Sequence, residues 1–224
     1  MSLQQRSLDD LPPIVFGETP KADVALVVGR IGEHQRQLFD SEQGDDIDGF
    51  SPQRKSEYSS GRRVAHEALK LLSGEPAAVT RNGRLPEWPA GYRGTISHSR
   101  EIAIAMVAST SNCHGIGLDV VQKNAVSAKV GARIMLAEEM LPPWGFSDTD
   151  WRAIVFCAKE SVYKAVYPEI GEFLEFRDVE IKMNESDRSF TASTVEKGSS
   201  TAVVRAGIGF VSDFEDHWLT LFLV

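Results

Sequence analysis

Four residues able to do chemistry crowd one short stretch, Phe156-Cys-Ala-Lys-Glu-Ser-Val-Tyr-Lys164: Lys159, Glu160, Ser161 and Lys164. A carboxylate beside two ammonium groups and a hydroxyl suits proton transfer or the holding of an anion. Trp151, Ile154, Val155, Ala158, Val162 and Ala165 recur at the spacing of a buried helical stripe, so the four sit on one helix. Glu160 and Lys164 are one turn apart and share a face, while Lys159 lies about 100° round. The plain alternative is a solvated pair: Glu four residues before Lys is the favourable order, worth roughly 0.2–0.5 kcal/mol.

Three other places carry reactive side chains. Arg54, Tyr58 and Arg62 stand four apart and form one face of a second helix. That face is either solvated and basic or an anion site, because guanidinium groups fork onto phosphate oxygens. Gly61 in its middle costs about 1 kcal/mol against Ala and so implies close approach by another backbone or a ligand. Asp119 is a carboxylate in an otherwise apolar strand. Burying it alone is costly, so it has a metal or a cationic partner, or lies at a sheet edge. His66-Glu67 begins like the zinc motif H-E-x-x-H, but Lys70 occupies the fifth position, which excludes a zincin.

The elements that must position these residues follow from pattern. Residues 1–20, with Pro12, Pro13 and Pro20, read as a poorly ordered lead-in. Residues 23–28 read as a buried strand, 33–39 as a short helix and 40–49 as a loop. Ser51-Pro52 starts a helix running to about Leu72, with Gly74 past its end. The Gly- and Pro-rich stretch 81–91 reads as a loop carrying Trp88. Strands over 94–99, 102–108 and 116–121 suggest an antiparallel meander. A helix is expected over 128–140 and another from Ser147-Asp-Thr-Asp150 to Pro168. The tail reads as strands over 177–183, 189–193, 202–211 and 217–224. The order implies an α+β fold with helices packed on antiparallel sheets. The two meanders allow two similar lobes, although no repeat is visible in the sequence.

Composition narrows the class. At 224 residues and 42% hydrophobic content the chain can bury a real core. No apolar run of about 18 residues spans a membrane, and the first residues lack an apolar signal region. Cys113 and Cys157 have no metal-ligand spacing and read as reduced thiols, which fits a cytoplasmic protein. A net charge of −8 argues against a broad nucleic-acid surface but permits a local basic pocket for a phosphorylated small molecule.

Four stretches in order now coincide with one family: R-K-S-E-Y-S-S-G-R-R-V-A-H-E-A-L from Arg54, R-L-P-E-W-P-A-G-Y-R-G-T-I-S-H-S from Arg84, G-I-G-L-D-V-V from Gly115 and F-C-A-K-E-S-V-Y-K from Phe156. They span about half the chain. Each is weak alone, but the ordered set is specific. The chain resembles the 4′-phosphopantetheinyl transferases, in particular the larger monomeric kind and, within it, the enterobactin-synthase accessory type. The resemblance implies two pseudo-symmetric lobes, 1–115 and 116–224, with the active site between them. It implies transfer of the phosphopantetheine arm of coenzyme A to a serine of an acyl or peptidyl carrier protein, releasing 3′,5′-ADP. Carriers of siderophore peptide synthetases, polyketide synthases and fatty-acid synthesis all remain open.

By position, the resemblance makes Asp119 and Glu160 ligands of Mg²⁺, with Mn²⁺ a possible substitute, and Glu160, directly or through a metal-bound water, the base candidate for the carrier serine. Lys164 stabilises developing phosphate charge. The coenzyme A contacts it implies are Arg54, Arg62, Arg84, Ser97, His98, Lys159 and Lys164. One departure stands out. The family's common G-[IV]-D-x-E pattern has a second acid where this chain has Val121, whose side chain falls on the same face as Asp119. Mg²⁺ tolerates one or two protein carboxylates. A non-catalytic scaffold that binds coenzyme A or carrier is the alternative that Val121 leaves open. Ser161-Val-Tyr-Lys164 also matches the S-x-x-K of serine β-lactamases, but no K-T-G or S-D-N partner follows.

Overall fold

The expected helix-period stripes and strand alternations meet in two compact units, one formed within residues 1–112 and the other mainly by 113–224. The structure, a computed structural model, describes residues 4–6, 24–32, 38–43, 45–83, 85–111, 113–143, 145–184, 186–196, 198 and 200–224. Most of the expected lead-in, and most of the helix expected over 33–39, lie outside these residues. Each unit is an antiparallel sheet with a long helix on it, an α+β architecture.

In the first unit, β1 (Gln4–Arg6), β2 (Val24–Arg30), β5 (Tyr92–Ser99) and β6 (Ile102–Ser109) form a sheet in the order β1-β2-β6-β5. After a short turn of helix, α1 (Asp45–Asp48), comes α2 (Pro52–Ser73). Its N-cap Ser51 accepts the Arg54 amide. The stripe Val64, Ala65, Ala68, Leu69 buries against Val27, Ala103, Ala105 and Val107. Gly61 is explained by packing: a methyl group there would stand 2.9 Å from Ile96 Cγ2 on β5, so the close approach is to the sheet. The stretch read as a loop over 81–91 contains a small hairpin, β3 (Thr80–Asn82) with β4 (Leu85–Glu87). Likewise 40–49 holds α1 and the 3-10 turn Asp40–Glu42, organised around the buried Glu42.

In the second unit, β7 (Ile116–Gln122), β8 (Val179–Asn184), β9 (Ser189–Thr194), β10 (Ile208–Phe214) and β11 (His217–Leu223) pair in the order β7-β11-β10-β9-β8. The meander expected over 94–121 therefore breaks after β6. Both edges of β6 are already taken by β2 and β5, so β7 opens the second sheet and pairs with β11. The long helix α4 (Asp148–Ile170) packs Trp151, Ile154, Val155, Ala158, Val162 and Ala165 into the core. It runs past Pro168, which falls in its last turn, where only two helical residues follow for the ring to disturb. The helix expected over 128–140 ends earlier: α3 (Ala128–Ile134) gives way to extended backbone at Met135 and Leu136, then to a 3-10 turn at Ala137–Glu139. The strand expected from Ala202 begins instead at Ile208. Before it lies α5 (Ser200–Ala206), in which the buried residues Ser200 and Val204 are one helical turn apart rather than alternating.

Candidate active site

The G-x-G-x-D stretch sets the site by steric means. Gly117, Asp119 and Val121 share one face of β7. A side chain at Gly117 would run into the Ser161 carbonyl and the Ala165 amide of α4, so that face is the one turned to the helix. The bare glycine lets α4 settle directly on the strand. Asp119, two residues on, is thereby delivered to the helix one turn from Glu160. Its register partner on β11 is Thr220.

Asp119 is only 6% exposed. The Lys164 ammonium donates to its Oδ1 at 2.7 Å and to the Leu118 carbonyl at 3.2 Å. Lys164 thus bonds across to β7 rather than forming the simple surface pair with Glu160 that helical spacing suggests. Glu160 lies near enough to feel both groups. Burial raises its carboxyl above the usual range, the Asp119 charge raises it further, and Lys164 draws it down. Two carboxylates that repel one another, with a single ammonium against them, make a site that gains from a cation. Among the described residues no group of three His, Cys, Asp or Glu side chains gathers to cage a metal. The donor set therefore fits a hard ion held by two carboxylates and completed by water and phosphate oxygens, as Mg²⁺ accepts. Val121 adds nothing to that set. It is 7% exposed and belongs to the apolar core with Trp151 and Trp218.

Lys159 is placed differently from its neighbours. Its side chain is 2% exposed, and its ammonium donates to Glu139 Oε2 at 2.7 Å and to the Ile134 carbonyl at 2.9 Å. Burial lowers its proton affinity, and Glu139 partly restores it. Beside it opens a cavity of about 370 Å³, lined by Lys159, Glu160, Tyr163, Phe173, Leu174 and Phe176 among others. The Tyr163 and Phe173 rings meet edge to face, 5.4 Å between centroids.

The first unit holds the expected phosphate-binding residues. Arg54 is half exposed and sits 3.0 Å from His98 Nε2 and 3.3 Å from Glu57 Oε2. His98 Nε2 is 3.7 Å from the same Glu57 oxygen. Arg54, His98 and Glu57 therefore cluster at one spot where α2 passes the end of β5. Ser97 is buried on the same strand. Arg62 is also buried. Its guanidinium stacks over the Tyr58 ring at 4.7 Å and donates to the Tyr58 hydroxyl and the Thr80 carbonyl, each at 3.3 Å. Arg84 lies outside the described residues.

Sequence reasoning did not single out Gly117, Glu57 or Glu139. The spacing of Gly115 and Gly117 was a usable signal, since two glycines alternating on a strand leave one face bare for a helix. Glu57 shares the Arg54 helix one turn on. For Glu139 the local pattern shows only its bond to the Leu136 amide three residues back, and the long-range partners leave no trace in the sequence.

Fold and site together describe an α+β protein with an acid pair set against a lysine in one unit and an arginine–histidine–glutamate cluster in the other. Comparison with known proteins names the class. Residues 43–108 match the 4′-phosphopantetheinyl transferase N-terminal domain, and residues 115–221 match the 4′-phosphopantetheinyl transferase superfamily. The chain belongs to that superfamily, a family of transferase enzymes, and the two matches together cover more than half of it. Among individual relatives, it is 29% identical over 172 residues to 4′-phosphopantetheinyl transferase Svp of Streptomyces mobaraensis, covering 75% of this chain and 68% of that one. It is 28% identical over 147 residues to 4′-phosphopantetheinyl transferase PptT of Mycobacterium tuberculosis, covering 64% and 65%. It is 30% identical over 118 residues to enterobactin synthase component D of Salmonella typhimurium, covering 50% and 48%. The matches thus span about two thirds of the length of the first two relatives. Among the described residues no helix is long and apolar enough to cross a membrane.

Proposed function

We propose that this protein moves the 4′-phosphopantetheine arm of coenzyme A onto a serine of an acyl or peptidyl carrier protein, with 3′,5′-ADP as the leaving group. The observation that carries the reading is the placement of Asp119, Glu160 and Lys164 together, inside the segment that matches the transferase superfamily. Asp119 and Glu160 are the residues that would hold Mg²⁺, whose charge would offset that of the pyrophosphate. Glu160 accepts the proton of the attacking serine. Its raised proton affinity is the direction a base working near neutral pH needs. Lys164, held by Asp119 and the Leu118 carbonyl, presents a fixed positive charge to the phosphate that is attacked.

The remaining side chains bind and orient. Arg54 and His98 are the residues of the first unit we assign to coenzyme A phosphates, with Ser97 beside His98 on β5. Arg62, stacked on Tyr58, holds that helix face in shape. Lys159, its ammonium bonded to a buried carboxylate, stands on the wall of the cavity beside Glu160. The cavity beside Glu160 takes the pantetheine arm: its aromatic wall suits the arm's dimethyl group, and Glu160 itself is part of its lining. Carrier docking falls to α3, where Lys129, Arg133 and Val130 are exposed near Met140 and Leu141, a basic and apolar face suited to an acidic carrier.

The test is incubation of the purified protein with coenzyme A, Mg²⁺ and a panel of apo carrier proteins, followed by intact mass analysis. A carrier that gains one phosphopantetheine arm bears the reading out, and the panel identifies the pathway served. Binding of coenzyme A without any mass gain across the panel would replace it with the scaffold reading that Val121 leaves open.

A further inference from the structure

Glu139 is a fully buried acid to which the proposed reaction gives no part. Its Oε1 accepts the Ile181 amide of β8 at 2.7 Å, and its Oε2 accepts both the Leu136 amide and the Lys159 ammonium, each at 2.7 Å. Its own carbonyl accepts the Trp151 indole N–H at 2.7 Å. A buried ion pair is a poor way to gain stability, since apolar residues of the same shape often serve as well. Where these bonds land accounts for the pair better. Lys159 lines the cavity and precedes Glu160. Arg133, on another wall, precedes Ile134, whose carbonyl takes the second Lys159 bond. Val179, on a third wall, lies two residues before Ile181 on β8. One carboxylate therefore ties three walls of the cavity together and fixes the turn of helix that carries Glu160.

The first unit contains the same device without the acid pair. Glu42, also fully buried, accepts the Val79 amide at 2.7 Å and His66 Nε2 at 2.6 Å on one oxygen, and the Phe39 amide at 3.1 Å on the other. Its carbonyl accepts the Tyr58 hydroxyl at 3.3 Å. Tyr58 and His66 stand eight residues apart on α2, as Trp151 and Lys159 do on α4. A glutamate follows each basic residue: Glu67 after His66, Glu160 after Lys159. Yet β2 carries no acid in the role of Asp119. The chain thus holds an internal comparison in which the same clamp works on a helix that carries neither the acid pair nor a wall of the cavity.

We propose that Glu139 is a positioning residue for the transfer reaction: by clamping Lys159 and the three walls it sets the width of the cavity and the direction of Glu160, and so the grip on the pantetheine arm. This rests on the transferase reading above. The test compares Glu139→Gln with Glu42→Gln by calorimetric binding of coenzyme A and of 3′,5′-ADP, which lacks the arm. Glu139→Gln is expected to weaken coenzyme A by about tenfold, the low end of the cost of losing an outer supporting partner, and to leave 3′,5′-ADP unchanged. Glu42→Gln, with a comparable loss of Tm, acts on the helix that carries Arg54 and not on the cavity, so any loss it causes is expected to fall on both ligands alike. Should Glu139→Gln not fold, Trp151→Phe removes one bond of the clamp and is expected to shift coenzyme A alone in the same direction. Normal coenzyme A binding by the folded variant, an equal loss for both ligands, or the same loss confined to coenzyme A in Glu42→Gln would each reduce the clamp to scaffolding. Wild-type protein that binds no coenzyme A would overturn the transferase reading itself, an outcome distinct from all three.

Discussion

The contact between β7 and α4 makes Gly117→Ala the sharpest test of how the site is built. The added methyl group meets the Ser161 carbonyl, with the Ala165 amide nitrogen at 2.6 Å and the Ser161 carbonyl carbon at 2.9 Å. All three are backbone atoms of a helix interior, so no side chain can swing away. Comfortable carbon contacts lie near 3.5–4.0 Å, so α4 must retreat by on the order of 1 Å, and such a gap forfeits a quarter to a half of each contact it opens. The cost falls at the upper end of core overpacking, about 3 kcal/mol. At about 2–4 °C per kcal/mol for a chain of this size, Tm drops by about 6–12 °C. Lys164 lies between the two points of collision, so its 2.7 Å bond to Asp119 opens and transfer falls with stability. Thermal unfolding followed by circular dichroism, with carrier mass gain as the activity assay, reads both effects. Gly61→Ala is the matched control. There the methyl group meets one side-chain atom, Ile96 Cγ2 on a stiff β-branch at 2.9 Å, and no backbone, so the crowding is smaller and the gain in helix propensity, about 1 kcal/mol, offsets part of it. A Gly117→Ala protein with wild-type Tm and full transfer would refute the argument that this glycine seats the helix.

The other expectations are narrower. Asp119→Asn and Glu160→Gln should each abolish carrier mass gain while circular dichroism stays native. Chelation should silence the wild type, with Mg²⁺ or Mn²⁺ restoring it; full activity in chelator would remove the two-carboxylate metal assignment. Arg54→Ala should raise the KM for coenzyme A more than it lowers kcat and shift stability by no more than about 0.5 kcal/mol, because the side chain is half exposed. An unchanged KM would return that helix face to solvent. Burial and the Asp119 charge push the Cys157 thiol well up. A thiol reagent should therefore label Cys113 in the native protein and reach Cys157 only in denaturant, and two thiols reacting natively would contradict the packing beneath Asp119.

The sequence reading succeeded where structure is local and stalled where it is not. The stripes on α2 and α4 and the apolar runs of β2, β6 and β7 carry their own period, and the structure keeps them. The partner of β7 does not appear in its own residues. It is β11, about a hundred residues on, and the choice follows from β6 having no free edge. The same division holds at the site. A buried acid in an apolar strand announces that it needs a cation, and Asp119 has one in Lys164. The favourable spacing of Glu160 and Lys164 pointed to a pair on one helix, but the lysine reaches across to the strand. The difference matters chemically. A lysine tied to Glu160 would neutralise the base, whereas one tied to Asp119 leaves Glu160 pushed upward by burial and by the neighbouring carboxylate.

The two glutamate clamps carry this further. No repeat is visible in the amino-acid order, because the residues that make the clamp differ in kind: histidine for lysine, tyrosine for tryptophan, phenylalanine for leucine. What recurs is the set of positions from which a donor can reach one buried carboxylate, and hydrogen-bond geometry tolerates any side chain that delivers an N–H or O–H there. Similarity of that kind survives substitution at every donor, so long as the accepting glutamate is kept. The first unit keeps the clamp with Glu67 behind it and no acid on β2, so a clamp alone does not make a reactive site. In the second unit the added ingredients are Asp119, brought in by the bare face at Gly117, and a lysine that bonds to it. The site we propose as reactive is thus a small addition to a clamp that both units share, which is why disturbing Glu139 and disturbing Glu42 should have such different consequences.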